Sequence, residues 1–260
     1  HKRMYLHYAV PRSAQKAAAI VTISEHSKRD IVRLLGVEEG KVEVVPLAGP
    51  EYGRVEDEGV IAAAREKYGL PDEYIMCLAS SYPHKNLGGL VEAYAEFVRR
   101  NERNKAGGGR FGQGMGLALL GMYRQEHERL ERLVAEQGLS GQVYQPGRIA
   151  GEDLAALYSG ARAFVFPSRF EGFGMPVLEA MACGIPVASS RATALAEVCG
   201  DAAVLFDPDD VGEMCTALEA VVLDEGVRAE KVAAGYRRAG EFSWAETGRR
   251  MLRVLREAGG

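Results

Sequence analysis

Short apolar runs alternate along this chain with longer segments whose apolar positions recur every three or four residues. The first pattern predicts buried strands and the second amphipathic helices. Strands are expected at 20–23, 42–45, 74–79, 117–120, 143–145, 163–166, 187–189 and 203–206. Helices are expected between them at 60–68, 87–103, 125–136, 154–158 and 176–183. Beyond 206 the strand pattern stops, and helices follow at 211–223, 227–239 and 244–257. The helix after the first strand carries a candidate capping box in Ser27 and Asp30. Such alternation implies an α/β protein built on a mainly parallel sheet. Residues 105–116 are Gly-rich, lack apolar periodicity and read as a surface loop.

One connection carries chemistry. The run 163–166 leads into Glu171-Gly-Phe-Gly-Met-Pro-Val-Leu-Glu179, where Pro176 marks the opening of a helix. A helix N-terminus offers unpaired N–H groups and a positive dipole end, which suit phosphate. Gly172 and Gly174 would let a ligand approach the backbone closely. A diphosphate on the amides of Phe173, Gly174 and Met175, with hydroxyl-bearing groups beside the two acids, would use every part of this turn. Taken singly, Glu171 reads as a solvated loop acid. Glu179 sits on a helix that is apolar nearly all round and needs a partner, an Arg or a backbone amide in the plainest reading.

Lys85 follows the strand 74–79 and the turn Ser80-Ser-Tyr-Pro-His84, and precedes the next helix. That puts an ammonium beside a positive dipole end, an arrangement that needs an anion nearby. A diphosphate would supply it, whereas a solvated turn lysine is the alternative. Gly121 and Met122 follow the strand 117–120 and are expected on the same cleft edge.

Composition narrows the classes. The 260 residues are 47% hydrophobic and 26% charged, ordinary for a soluble domain. A net charge of −4 gives no basic surplus for nucleic acid. No apolar run reaches a membrane span. His1 is no natural start, so a fragment or processed chain is expected. Cys77, Cys183, Cys199 and Cys215 lack metal-type spacing; Cys77 and Cys183, in apolar runs, read as small core residues, and a reducing cytoplasm is expected. Gly107-x-Gly109-x-x-Gly112 matches a dinucleotide fingerprint in letters, but it follows a helix and precedes a strand, the wrong order. Asp207-Pro-Asp209 resembles a metal-binding DxD yet sits where Asp caps helices. His26 and His84 have no partners at metal spacing, and Trp244 is expected to anchor the last helix.

The stretch from Ser168 to Val187 resembles the signature of retaining, family-4 glycosyltransferases (glycosyl transferases group 1) of the GT-B fold. Thr22-Ile-Ser-Glu-His-Ser-Lys-Arg-Asp30, Pro83-His-Lys-Asn86, Asp153-Leu-Ala-Ala-Leu-Tyr158, Asp207-Pro-Asp-Asp210 and Phe242-Ser-Trp244 resemble further blocks in the expected order. The resemblance implies a Rossmann-like parallel sheet flanked by helices. It places 1–45 at the end of a mostly missing N-terminal acceptor domain, 46–50 at a hinge, 51–240 in the sugar-nucleotide donor domain, and 241–260 in a helix crossing back. It implies transfer of a sugar from a UDP- or GDP-sugar to an acceptor hydroxyl with retention, without cofactor or metal. Glu171 and Lys85 would be catalytic. Ser80, Gly172, Phe173, Gly174, Met175, Glu179, Arg148, Ile149 and Arg169 would hold the donor, with Gly147-Arg148-Ile149 at the nucleobase. The family carries an Arg where Ser80 stands, and Arg169 is the candidate replacement for that charge. The expected partners are the nucleotide sugar, an unidentified acceptor (sugar, lipid-linked or polysaccharide) and the missing N-terminal domain, with peripheral contact at the inner membrane face compatible with it. Alternatives are a sugar-nucleotide-binding module without turnover and a GT-B-type sugar-nucleotide epimerase.

Overall fold

The computed structural model describes residues 8–80, 82–105, 114–121 and 127–259. Two parallel sheets form. The first pairs β1 (Ile20–Thr22) with β2 (Val42–Val44). The second has six strands: β3 (Glu73–Leu78), β4 (Met115–Leu120), β5 (Val143–Gly147), β6 (Ala163–Phe166), β7 (Val187–Ser190) and β8 (Ala203–Phe206). Their order across the sheet is β5-β4-β3-β6-β7-β8, all parallel. The chain winds outward from β3 in one direction, then returns beside it at β6 and winds in the other. This is the doubly wound Rossmann order, whose ligands bind outside the carboxyl ends of the strands where the direction reverses. Here that point lies between β3 and β6.

The inner strands β3, β4 and β6 read as near-continuous apolar runs because both faces are covered, as parallel sheets require. Alternate residues divide between two cores. Tyr74 and Met76 of β3 join Phe164 and Phe166 of β6 on one face, against the helices Glu58–Lys67, Gly151–Ser159 and Met175–Ala182. Ile75 and Cys77 join Ala163 and Val165 on the other, against the helices Leu87–Lys105, His127–Glu136 and Val211–Leu223. All four cysteines are buried thiols.

Three expectations need correction. The helix Glu25–Leu35 is capped by Ser24, whose hydroxyl accepts from the Ser27 N–H at 3.1 Å, so it opens one turn earlier than a Ser27 cap allows. Asp30 is instead paired with Arg33 at 2.8 Å. Short helices at Val10–Lys16 and Ala194–Cys199 also form, too brief to register an apolar period. Met122 and the 107–112 glycines lie outside the described residues. Trp244 opens the helix Trp244–Gly259 but is exposed rather than anchoring it; Val254 is the residue this helix buries, and the Thr247 hydroxyl donates to the Pro46 carbonyl at 2.9 Å.

Candidate functional site

The loop after β6 and the turn after β3 meet at the reversal point of the sheet. Lys85 ends the single turn Pro83–Lys85, and Asn86 then takes a left-handed conformation at φ 55. The buried Asn86 amide donates to the Pro208 carbonyl at 2.6 Å, pinning this turn to the loop after β8. The Arg169 N–H donates to the His84 carbonyl at 2.7 Å, joining the β3 turn to the β6 loop. Across that junction Lys85 Nζ meets Glu171 Oε1 at 2.5 Å, and the two side chains are only 19% and 16% exposed. The same ammonium lies 5.1 Å from the Phe166 ring centroid. The anion that Lys85 requires is thus supplied by Glu171 itself.

Glu171 is held from a second side. Thr193 Oγ1 accepts from its N–H at 2.9 Å and donates to its carbonyl at 3.0 Å. The next carbonyl, Gly172, accepts from Ser24 Oγ at 2.9 Å. Segment 24–35 is further fastened by Glu197, whose carboxylate accepts from the Glu25 and His26 N–H groups at 3.0 and 3.3 Å. Gly174 follows at φ 119, and a Cβ there would lie 2.6 Å from Leu195 Cδ2. At Gly172 an added Cβ would only touch Ile23, at 3.6 Å. Gly174 is therefore fixed by conformation and packing. Phe173 is buried edge-on against Phe242, ring centroids 5.6 Å apart, and lines a cavity of about 300 Å³ with Pro46, Leu47, Arg238 and Phe242. Among the described residues the N–H groups of Phe173, Gly174 and Met175 have no hydrogen-bond acceptor. The helix begins at Met175, so Pro176 is its second residue.

Glu179 lies on that helix in another environment. Its Oε2 accepts from the Tyr158 hydroxyl at 2.9 Å, and the Tyr52 hydroxyl is buried beside it without a hydrogen bond of good geometry. Burial raises the Glu179 carboxyl above its ordinary pKa, while the phenols partly oppose the rise. Both phenols are pushed up in turn, chiefly by burial and then by the nearby carboxylate. The partner of Glu179 is thus a tyrosine, neither an Arg nor a backbone amide.

The remaining candidates separate. Ser80 Oγ, just past β3, and Ser168 Oγ, just past β6, are buried hydroxyls without a partner. Arg169 pairs with Asp209 at 2.6 Å, and both are well exposed, at 46% and 70%. Arg148 is exposed beyond β5, and Ile149 packs against the first core. That loop is braced by Tyr68, whose hydroxyl accepts from the Ala150 N–H at 3.0 Å and donates to Asp153 at 2.7 Å. Asp210 caps the helix Val211–Leu223, accepting from the Glu213 N–H at 2.9 Å, while Asp207 accepts from the Asp209 N–H. Sequence reasoning passed over Thr193, Ser24, Ser168, Tyr158 and Tyr52. Tyr158 stood at the end of a recognised block, but nothing there named Glu179 as its partner.

The family model described as glycosyl transferases group 1 matches residues 60–238. The O-antigen chain mannosyltransferase B of Escherichia coli is 32% identical over 92% of this chain and 61% of its own length. The serotype-specific mannosyltransferase WbdA of Escherichia coli is 33% identical over 90% of this chain and 28% of its own length. The chain thus spans about three fifths of the first relative and under a third of the second. Anabaena HepE, solved with UDP and glucose, superposes with a TM-score of 0.82 at 18% identity, over 97% of this chain and 67% of that one. With a matched model over most of its length, the chain belongs to the glycosyl transferases group 1 family.

Proposed function

We propose that this chain binds the nucleotide-sugar donor of a retaining glycosyltransferase, with a mannosyl group the first candidate for transfer to an acceptor hydroxyl. The observation that carries this reading is the Lys85–Glu171 pair at the reversal point of the sheet, beside three backbone N–H groups that lack acceptors. An ammonium has three N–H donors, so Lys85 can keep Glu171 and take a diphosphate oxygen together. The amides of Phe173, Gly174 and Met175 would share the charge that builds on the departing diphosphate, a stabilisation that depends on donors fixed beforehand. With that charge carried by Lys85 and the helix end, the scheme requires no metal ion. Ser80 would add a neutral hydrogen bond where the family has an Arg, and Arg169 would add charge if it left Asp209.

Glu171 would hold a donor-sugar hydroxyl and Glu179 the ribose hydroxyls, with Gly147, Arg148 and Ile149 at the base. Retention fits attack from the face the diphosphate leaves, the leaving phosphate taking the acceptor's proton. The mannosyl assignment is supported by the relatives, both named mannosyltransferases. UDP in a structural neighbour supports a nucleotide diphosphate donor.

A second reading has its own observation. The chain spans 61% of the first relative, so capture of donor without turnover suits it equally. Calorimetry with GDP-mannose and UDP-glucose, beside a transfer assay with and without the acceptor half of a relative, separates the two. Binding that yields no transfer in either setting would leave the binding module; no binding of either donor would end both readings.

A further inference from the structure

We propose that Thr193 is a positioning residue for Glu171, holding its backbone so that its carboxylate reaches Lys85; this rests on the donor-site reading of the Glu171 loop. Thr193 precedes the helix Ala194–Cys199 at φ 55 and ψ −128. Gly200, just past the other end, has φ 54 and ψ −130. One short helix is therefore flanked by the same backbone conformation twice. Glycine adopts it freely. For a β-branched residue it is an outlier. Among the described residues only Asn86 and Thr193 combine a side chain with positive φ, and both border the Lys85–Glu171 pair.

What threonine adds at 193, and glycine at 200 lacks, is a hydroxyl. A threonine before a helix ordinarily accepts from the first-turn N–H groups. Thr193 makes no such cap. Its hydroxyl goes instead to Glu171, accepting from the N–H at 2.9 Å and donating to the C=O at 3.0 Å. Both polar backbone groups of Glu171 are bound by one side chain. The two residues before Thr193 are held in place. Ala192 N–H donates to Ser190 Oγ at 3.0 Å, Arg191 N–H to the Phe206 carbonyl at 2.9 Å, and the Arg191 guanidinium grips Glu213 at 2.9 and 2.8 Å. Strain kept under such restraint marks sites where geometry matters more than comfort. The geometry points to one beneficiary: a carboxylate 2.5 Å from the Lys85 ammonium.

Three variants of the 260-residue chain test this: Thr193→Gly, Thr193→Ser and Glu171→Gln. They are read by hydrogen exchange at the Glu171 amide without ligand, by thermal unfolding, and by calorimetry with GDP-mannose and UDP-glucose. Thr193→Gly keeps the conformation and removes the hydroxyl. Exchange at Glu171 should then quicken by about tenfold, as loss of an ordinary hydrogen bond predicts. The unfolding midpoint should hold or rise, and donor affinity should fall by roughly tenfold, with Thr193→Ser restoring both exchange and affinity. Unchanged exchange at Glu171 in Thr193→Gly overturns the proposal whatever the donor does. A midpoint that falls in step with affinity, without rescue by serine, overturns it as well, because that is a packing role. If Glu171→Gln leaves donor binding untouched while exchange behaves as expected, the donor-site reading fails and the hold of Thr193 on this loop stands.

Discussion

Glu171 and Glu179 lie on one strand-to-helix connection, and the fold treats their charges in opposite ways. Glu171 is neutralised: an ammonium sits at 2.5 Å and a threonine fixes its backbone. Glu179 is desolvated: a tyrosine donates at 2.9 Å, a second phenol crowds it, and burial raises its pKa. The contrast teaches that two acids in one motif need not do one job. A carboxylate beside a cation orients that cation. A carboxyl among phenols is a hydrogen-bonding group whose charge is held in check.

The largest effect should come from breaking the first half of the comparison. Lys85→Ala removes the cation nearest the proposed diphosphate and strands Glu171 with little exposure. Truncating one member of such a pair costs about 2–5 kcal/mol where a charge is left unpaired. Calorimetry should show donor affinity lower by about 100-fold, with partial recovery in Lys85→Arg. Recovery stays partial because a planar guanidinium cannot reproduce the point charge of an ammonium. An affinity within a few-fold of the parent would detach Lys85 from the donor.

Next comes the link between the two acids. Gly174→Ala places a Cβ at φ 119 and 2.6 Å from Leu195 Cδ2. A left-handed non-glycine residue costs about 1–3 kcal/mol and overpacking a similar amount. Denaturant unfolding should therefore show a loss of about 2 kcal/mol or more. A neutral result would mean that the loop re-forms elsewhere, and the shared geometry of the two acids would go with it.

The second half is sharpened by Glu179→Gln. The folded state holds the Glu179 proton more tightly than the unfolded chain does, because its pKa is raised from 4.5. The stability of the parent therefore falls as pH rises from the unfolded pKa through the folded one. The glutamine variant does not titrate there. Its stability relative to the parent should climb across that window and level off above it. Donor affinity should drop by about tenfold, the worth of a hydrogen bond to a charged or strongly polar group. A pH-independent stability difference would show that Glu179 is not desolvated in solution.

How much of this was legible in the sequence differs by element. Ala163–Phe166 and Ala203–Phe206 read to the residue, because a continuous apolar run bounded by turn residues admits little else. The Gly-rich turn, Lys85 and both acids were visible as chemistry at strand ends. Their partners were not. Lys85 meets Glu171 across 86 positions, Glu171 meets Thr193 across 22, and Tyr158 reaches Glu179 across 21. Such pairings depend on strand order, and no local pattern states that β3 lies beside β6. Thr193 was hidden twice over, since neither positive φ nor a hydroxyl turned away from its own helix leaves a trace in composition.

The smallest effect concerns the charge that Ser80 lacks. Arg169 lies in the same loop as Glu171, and the sequence offers it as the replacement. In the fold its guanidinium is bound to Asp209 at 2.6 Å, with both side chains well exposed. Exposed pairs contribute about 0–1 kcal/mol and are screened by salt. For Arg169 to serve the donor it would have to exchange Asp209 for a phosphate, a trade between two anions whose net gain is small. Arg169→Ala should thus weaken donor binding by less than about threefold, less still at high salt, against the far larger loss in Lys85→Ala. Asp209→Asn sharpens the result, because freeing the guanidinium should strengthen donor binding if Arg169 compensates and leave it unchanged if it does not. Equal affinities in Arg169→Ala, Asp209→Asn and the parent would assign the cationic share of diphosphate binding to Lys85 alone, with Ser80 and the helix amides completing it by neutral hydrogen bonds.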